Sequence, residues 1–98
     1  MEIVFHPDIS QEIKASYRWY QDQSYGLGND FIEALESAYQ AIVELPKTWP
    51  LFQNGFRRYL LYHFPFSVIY KEYEGKIYVV PVMRNPIIGL AAYKRCYD

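Results

Sequence analysis

The stretch from Phe56 to Met83, FRRYLLYHFPFSVIYKEYEGKIYVVPVM, decides the fold of this chain. It is crowded with aromatic and β-branched residues, and its glycine and prolines fall mainly where turns would lie, which is typical of strands in a half-buried sheet. One turn is predicted around 63–65 and a second at 73–76, where Glu74-Gly75 suits a two-residue hairpin. The stretch therefore predicts three strands in an antiparallel meander.

Successive side chains of a strand point to opposite faces of the sheet, so the pairing at the second turn predicts which residues share a face. If Tyr73 lies opposite Lys76, one face is almost wholly apolar and should be covered by helices. That face would carry Phe66, Val68, Tyr70, Ile77, Val79 and Met83. The other face is mixed and is where a partner would lie. It would carry Ser67, Ile69, Lys71, Lys76, Tyr78, Val80 and Val82.

A short strand and two amphipathic helices are predicted before the meander. Glu2 to Phe5 predicts a strand at a sheet edge or paired with a later strand. The first helix, with Pro7 in its first turn, has an apolar stripe of Ile9, Ile13, Tyr17 and Tyr20. Gly26 and Gly28 are expected to break it. The second helix, about 29–45, has a stripe of Phe31, Leu35, Ala38, Ile42 and Leu45, with Asn29 or Asp30 as its cap and Pro46 after its end.

The remaining segments complete a two-layer α+β domain. Trp49 and Phe52 lie in the loop before the meander and are expected to cover the edge of the core. Residues 87–97 allow a short terminal helix or a tail. The predicted order is β-α-α-β-β-β, with the helical hairpin packed on an antiparallel sheet.

Length and composition indicate one globular domain spanning 1–98. Of the 98 residues, 51% are hydrophobic and 19% aromatic, which argues against a disordered chain. The formal net charge of −1 argues against strong general binding to nucleic acid. Cys96 is the single cysteine and fits a reducing compartment, and the sequence shows neither a signal peptide nor a membrane-spanning run. We therefore expect a cytoplasmic protein that does not bind membranes.

The motifs that carry common chemistries are missing from the sequence. It contains no glycine-rich phosphate loop, paired-cysteine zinc pattern, His-Glu-x-x-His or serine nucleophile elbow. His6 and His63 are too far apart in sequence to suggest a metal site, so we expect no metal and no cofactor. Composition and spacing alone do not indicate a reaction.

Three segments together closely resemble the ParE branch of the RelE/ParE toxin superfamily of bacterial type II toxin–antitoxin modules, which includes plasmid stabilisation proteins. They are Phe5-His6-Pro7 with the helix that follows, Gly26 to Phe31 with its helix, and Arg57 to Tyr70. The resemblance covers roughly residues 3–84 in unbroken order. It implies the β-α-α-β-β-β fold and a small bacterial toxin that is neutralised by a cognate antitoxin. The antitoxin's flexible tail would lie against the helical hairpin and the sheet.

The resemblance implies two modes of action. ParE-like members inhibit DNA gyrase by binding, whereas RelE-like members cut messenger RNA in the ribosome with basic side chains and a C-terminal tyrosine or histidine. RelE-like nucleases have an arginine where this chain has Ser67, and Arg84 stands where many relatives carry a histidine. Inhibition of gyrase is therefore the preferred reading, and catalysis is not expected. A ribosome-dependent endoribonuclease and a decayed toxin that retains only antitoxin binding are the alternatives.

Candidate site residues follow from these readings. A nuclease would use Arg57, Arg58, Arg84 and Tyr93. A binding toxin would use Arg58, Arg84, Tyr93, Lys94 and Arg95 toward acidic groups of a partner. If His63 lies opposite Phe66, then Glu72 lies across from Arg57, which would make Arg57 structural. Both a homodimer and a toxin–antitoxin hetero-oligomer are compatible with this reading.

Overall fold

The computed structural model describes residues 1–81, which form two helices and one four-stranded sheet. The elements are β1 (Glu2–Phe5), α1 (Ile9–Gln23), α2 (Leu27–Glu44), β2 (Arg57–Leu60), β3 (Ser67–Tyr73) and β4 (Lys76–Val80). The predicted α+β class and the order β-α-α-β-β-β are confirmed. The terminal helix considered for 87–97, and Val82 and Met83 of the meander, lie outside the described residues.

The strands lie in the order β1-β4-β3-β2. Strands β2, β3 and β4 pair antiparallel, as predicted for the meander. Strand β1 lies at an edge and pairs with β4 in the parallel direction, so the complete sheet is mixed. A parallel pair needs a long connection, and here both helices and two strands separate the partners along the chain.

The β3–β4 hairpin fixes the two faces of the sheet. Tyr73 lies opposite Lys76, as predicted, and Glu74 and Gly75 form the turn with φ angles of 50° and 75°. Two left-handed residues in succession give the turn a twist that matches the flanking strands. The helix-facing side chains of β3 and β4 are almost fully buried: Val68, Tyr70, Ile77 and Val79.

An aromatic cluster joins the helical hairpin to the turn between β2 and β3. The ring centroid of Phe31 on α2 lies 5.0 Å from that of Tyr20, 5.6 Å from that of Phe64 and 5.2 Å from that of Phe66. Such tilted and edge-to-face pairs add to the free energy gained by burying the rings. The turn is therefore held against α2 by its own side chains.

The junction between the helices differs from the prediction. Helix α2 begins at Leu27, so Gly28 lies inside it and does not break the chain. The N-cap is Gly26, at a φ of 85°, and the backbone N–H of Gly28 donates to the side-chain oxygen of Gln21 at 3.1 Å. The predicted caps Asn29 and Asp30 were therefore wrong, because a side chain from α1 binds an exposed amide of this helix end.

Gly28 has a packing role that the sequence pattern did not indicate. A Cβ atom built on it would lie 2.8 Å from the Tyr17 ring, which is closer than real Cβ atoms approach other atoms. The absence of a side chain therefore allows the close approach of α1 and α2 at their junction.

The apolar stripes are confirmed except at the end of α2. Phe31, Leu35, Ala38 and Ile42 are buried, but Leu45 lies beyond the last helical residue and is 58% exposed. Helix α1 begins at Ile9 with Asp8 at its N-cap, so Pro7 precedes the helix instead of lying in its first turn. Neither described helix is both long enough and apolar enough to cross a bilayer.

Replacing Gly28 with valine should destabilise the protein. The added side chain would overlap the Tyr17 ring, and such overpacking costs about 1–3 kcal/mol, which lowers the melting temperature of a domain of this size by several degrees. The matched control is Gln40→Val on the exposed side of α2, which should cost only a few tenths of a kcal/mol in helix propensity. Equal melting temperatures for both variants would contradict the packing role.

Candidate partner-binding surface

Arg57 is part of the structure and is not free for a ligand. It lies opposite Tyr70 on the helix-facing side of β2, and its guanidinium donates to the backbone oxygen of Trp49 at 2.7 Å. The side chain is half-buried. This hydrogen bond ties the loop before β2 to the strand.

The predicted register at the first turn was wrong by two residues. Leu61, not His63, lies level with Phe66, since the Leu61 N–H donates to the Phe66 oxygen at 2.9 Å. Arg57 therefore pairs with Tyr70 and not with Glu72. A shift of two residues keeps every side chain on its predicted face, so the structural role inferred for Arg57 holds with a different partner.

Arg58 lies on the opposite face, as predicted, and it is exposed. It pairs with Ile69 of β3, and its guanidinium carbon lies 5.9 Å from the ring centroid of Phe52. A cation at this distance from an aromatic face is attracted to the ring. The charge is thereby held near the loop while remaining accessible to a partner.

The centre of the face predicted to be mixed is covered. Ile69 and Val80 are only 8% and 4% exposed, and they pack with Phe56 and the half-buried Tyr78. The ammonium group of Lys71 lies 5.6 Å from the centroid of the Phe56 ring. Ser67 is also buried, so this face is not the open surface that its sequence indicated.

An open hollow instead lies at the outer edge of β2. The loop runs beside the start of the strand, where the Arg58 N–H donates to the Pro50 oxygen at 3.0 Å, and then turns away. Beyond that point, no described segment pairs with the outer side of β2. The resulting edge hollow has a volume of about 680 Å³ and is lined by residues 49–52 and 58–63. Its exposed side chains include Leu51, Leu60 and Tyr62.

The two loop aromatics do not share one role. Trp49 is half-buried against the core and meets the Tyr59 ring edge-on at 4.6 Å, which confirms it as a cover for the core edge. Phe52 is 36% exposed, and its ring lies near Arg58 instead. The indole N–H of Trp49 is buried and has no hydrogen-bond partner within residues 1–81.

A second hollow, the helix groove, lies between α2 and the turn after β2. It has a volume of about 640 Å³. Leu27, Ala34 and Phe64 contribute apolar surface to it, and Asp30 and Glu33 line it from α2. Both carboxylates are on exposed residues, and neither forms an ion pair with another described residue.

A ridge of three side chains separates the two hollows. Tyr59, Tyr62 and His63 line both of them, and the Tyr62 and His63 rings lie 3.8 Å apart. His63 has a φ of 68°, the left-handed conformation that non-glycine residues adopt only at a cost in free energy. This conformation turns the chain so that two exposed rings stand between the hollows.

The structure places the predicted site residues as follows. Arg57 and Arg58 lie on opposite faces of β2, so they do not form one cationic site. Arg84, Tyr93, Lys94 and Arg95 lie outside the described residues. Sequence reasoning missed the ridge and the carboxylates of the helix groove. Their signal was the spacing of Asp30, Glu33 and Ser37, which places them along one side of a helix beside the apolar stripe.

The buried tyrosines favour a structural over a catalytic role. Burial raises the pKa of Tyr39 to about 12, and the nearby Glu12 adds to this. Burial also raises the pKa of Tyr70 to about 12, with a lowering by Arg57 and a further rise from Glu72. Both phenols therefore stay protonated at neutral pH. Residues 1–81 also contain no cluster of three or more His, Cys, Asp or Glu that could hold a metal ion.

No family model, no curated protein and no solved structure matches this chain. The geometry described above therefore carries the functional argument by itself.

The two neighbouring arginines should differ in their effect on stability. Arg57→Ala removes the hydrogen bond to the Trp49 carbonyl and should cost about 1–2 kcal/mol of unfolding free energy. Arg58→Ala removes an exposed side chain and should change that free energy by less than about 0.5 kcal/mol. Chemical denaturation of both variants measures the difference. Equal losses would show that Arg57 does not hold the loop.

The raised tyrosine pKa values predict a loss of stability at high pH. The neutral phenols are favoured in the folded protein, so their contribution is complete below the ordinary pKa of 10.0 and is lost as the pH rises toward about 12. The melting temperature should therefore fall over this range. The double variant Tyr39→Phe/Tyr70→Phe should show a shallower fall, and exposed Tyr25→Phe serves as its control. An unchanged slope in the double variant would contradict this assignment.

Proposed function

We propose that this chain is the toxin of a bacterial type II toxin–antitoxin module, that it acts in the cytoplasm, and that it inhibits DNA gyrase by binding. A cognate antitoxin would neutralise it by laying a flexible segment on its surface. The order of helices and strands is the one that the resemblance to ParE-like toxins implies, which supports the proposal.

The observation that carries the proposal is the edge hollow beside Arg58. An extended peptide could pair with the outer side of β2 near Leu60, where no described strand competes for the backbone. Leu51, Leu60 and Tyr62 offer apolar contacts there, and Arg58 offers a cation for a carboxylate of the peptide. Strand addition of this kind is a common way for a protein to bind a flexible segment.

The nuclease alternative has weaker support. The guanidinium of Arg57 already donates to a backbone oxygen, so it is not free to stabilise a phosphate. Ser67, at the position of the arginine in RelE-like nucleases, is a buried residue without charge. The part of the catalytic set that the structure describes is therefore dispersed.

Controlled expression in a bacterium that lacks a related antitoxin tests the proposal. We expect growth arrest with filamentous cells and a DNA-damage response, and inhibition of supercoiling when purified protein is added to purified gyrase. Arrest with cleaved ribosome-bound message would instead establish the nuclease. Normal growth with soluble protein present would point to a toxin that has lost its activity, and either result would overturn the gyrase proposal.

Co-expression of the small protein encoded beside the chain tests neutralisation. That protein should restore growth, and Arg58→Ala should weaken the rescue because a contact for an acidic group is lost. Lys47→Ala, which removes an exposed cation from a residue that does not line the edge hollow, is the matched control and should leave rescue intact. Rescue that is equally strong against the Arg58 variant would exclude Arg58 from the interface.

A further inference from the structure

We propose that the helix groove binds a basic, amphipathic peptide segment, in which apolar side chains enter the groove and lysine or arginine side chains contact Asp30 and Glu33. This inference rests on the proposed function only in naming the antitoxin as the protein that carries the segment. It assigns to the groove a partner of opposite charge to the one that Arg58 selects.

The lining of the groove calls for both apolar and cationic groups. Leu27, Ala34 and Phe64 provide apolar surface, and the groove contains no lysine or arginine among its described lining residues. Asp30 and Glu33 lie one helical turn apart on the same side of α2. With no described ion-pair partner, they leave the groove with two uncompensated negative charges.

The size of the groove fits side chains of a peptide. Its volume of about 640 Å³ lies within the range of about 300–1,000 Å³ that is typical of ligand sites. The opposite wall consists of Tyr59, Tyr62 and His63, whose rings combine apolar faces with polar tips. Such rings suit aliphatic stems of long basic side chains, whose charged ends remain near water.

The charges exclude other classes of occupant. Nucleic acid brings phosphates, and an acidic peptide brings carboxylates, so the two carboxylates of the groove would repel both. The edge hollow across the ridge carries Arg58 and would attract the acidic peptide instead. A segment that crosses the ridge therefore needs a basic part over α2 and an acidic part beside β2, which fixes the direction in which it binds.

Selection from a displayed library of random 16-residue peptides tests the inference. The baits are the full-length protein made by cell-free synthesis, its Asp30→Asn/Glu33→Gln variant, and the control Asp22→Asn/Glu36→Gln. The control removes the same charge from exposed residues that do not line the groove. Circular dichroism and melting temperatures show that each bait is folded.

We expect the wild type and the control to select peptides that combine apolar residues with lysine or arginine. These peptides should bind the groove variant about fivefold more weakly, the effect of losing one or two exposed ion pairs, and added salt should reduce this difference. Backbone amide shifts in the labelled protein should change around residues 27–37 and 59–64. Selection of acidic peptides, selection of none, or equal affinity for the groove variant would each overturn the proposal.

This outcome can be separated from that of the proposed function. The peptide selection measures the groove without reference to toxicity, and the growth assay measures toxicity without reference to the groove. A chain that arrests growth but selects no basic peptide would overturn the groove alone. A chain that selects basic peptides but leaves growth unchanged would overturn the toxin proposal alone.

Discussion

The burial of Tyr70 is the contact on which the candidate surface depends. Its side chain is fully buried at the centre of the helix-facing side of the sheet, and its hydroxyl donates to the Pro46 oxygen at 2.7 Å. This bond fixes the chain just after α2, so that Trp49 follows at a defined place and its carbonyl accepts the bond from Arg57. The loop is thus tied to β3 and to β2, and the edge hollow opens where the loop leaves the strand.

The sequence predicted the faces of the sheet better than its registers. Side chains alternate with a period of two, so the apolar set Val68, Tyr70, Ile77 and Val79 had to lie together whichever even shift was taken. Glu74-Gly75 fixed the second turn by itself. The first turn could not be derived, because its pairing depends on His63 adopting a left-handed conformation while Phe64 packs against Phe31 on a distant helix.

The candidate surface was only partly accessible to sequence reasoning for the same reason. Arg58 could be placed on its face by alternation alone. Asp30 and Glu33 could be placed on the polar side of α2, but the side chains that face them across the groove come from the turn after β2. That juxtaposition depends on the aromatic packing of Tyr20, Phe31 and Phe64, which joins three elements far apart in sequence.

The arrangement of charge argues for recognition over chemistry. A catalytic site converges its ionisable groups on one reacting atom, whereas here the ridge of Tyr59, Tyr62 and His63 divides a cation in one hollow from two carboxylates in the next. Opposite charges in adjoining apolar hollows distinguish the two ends of a bound segment, because a reversed segment would meet like charges at both ends. The surface therefore has the means to select both the partner and its direction, which is what a protein neutralised by one dedicated partner requires.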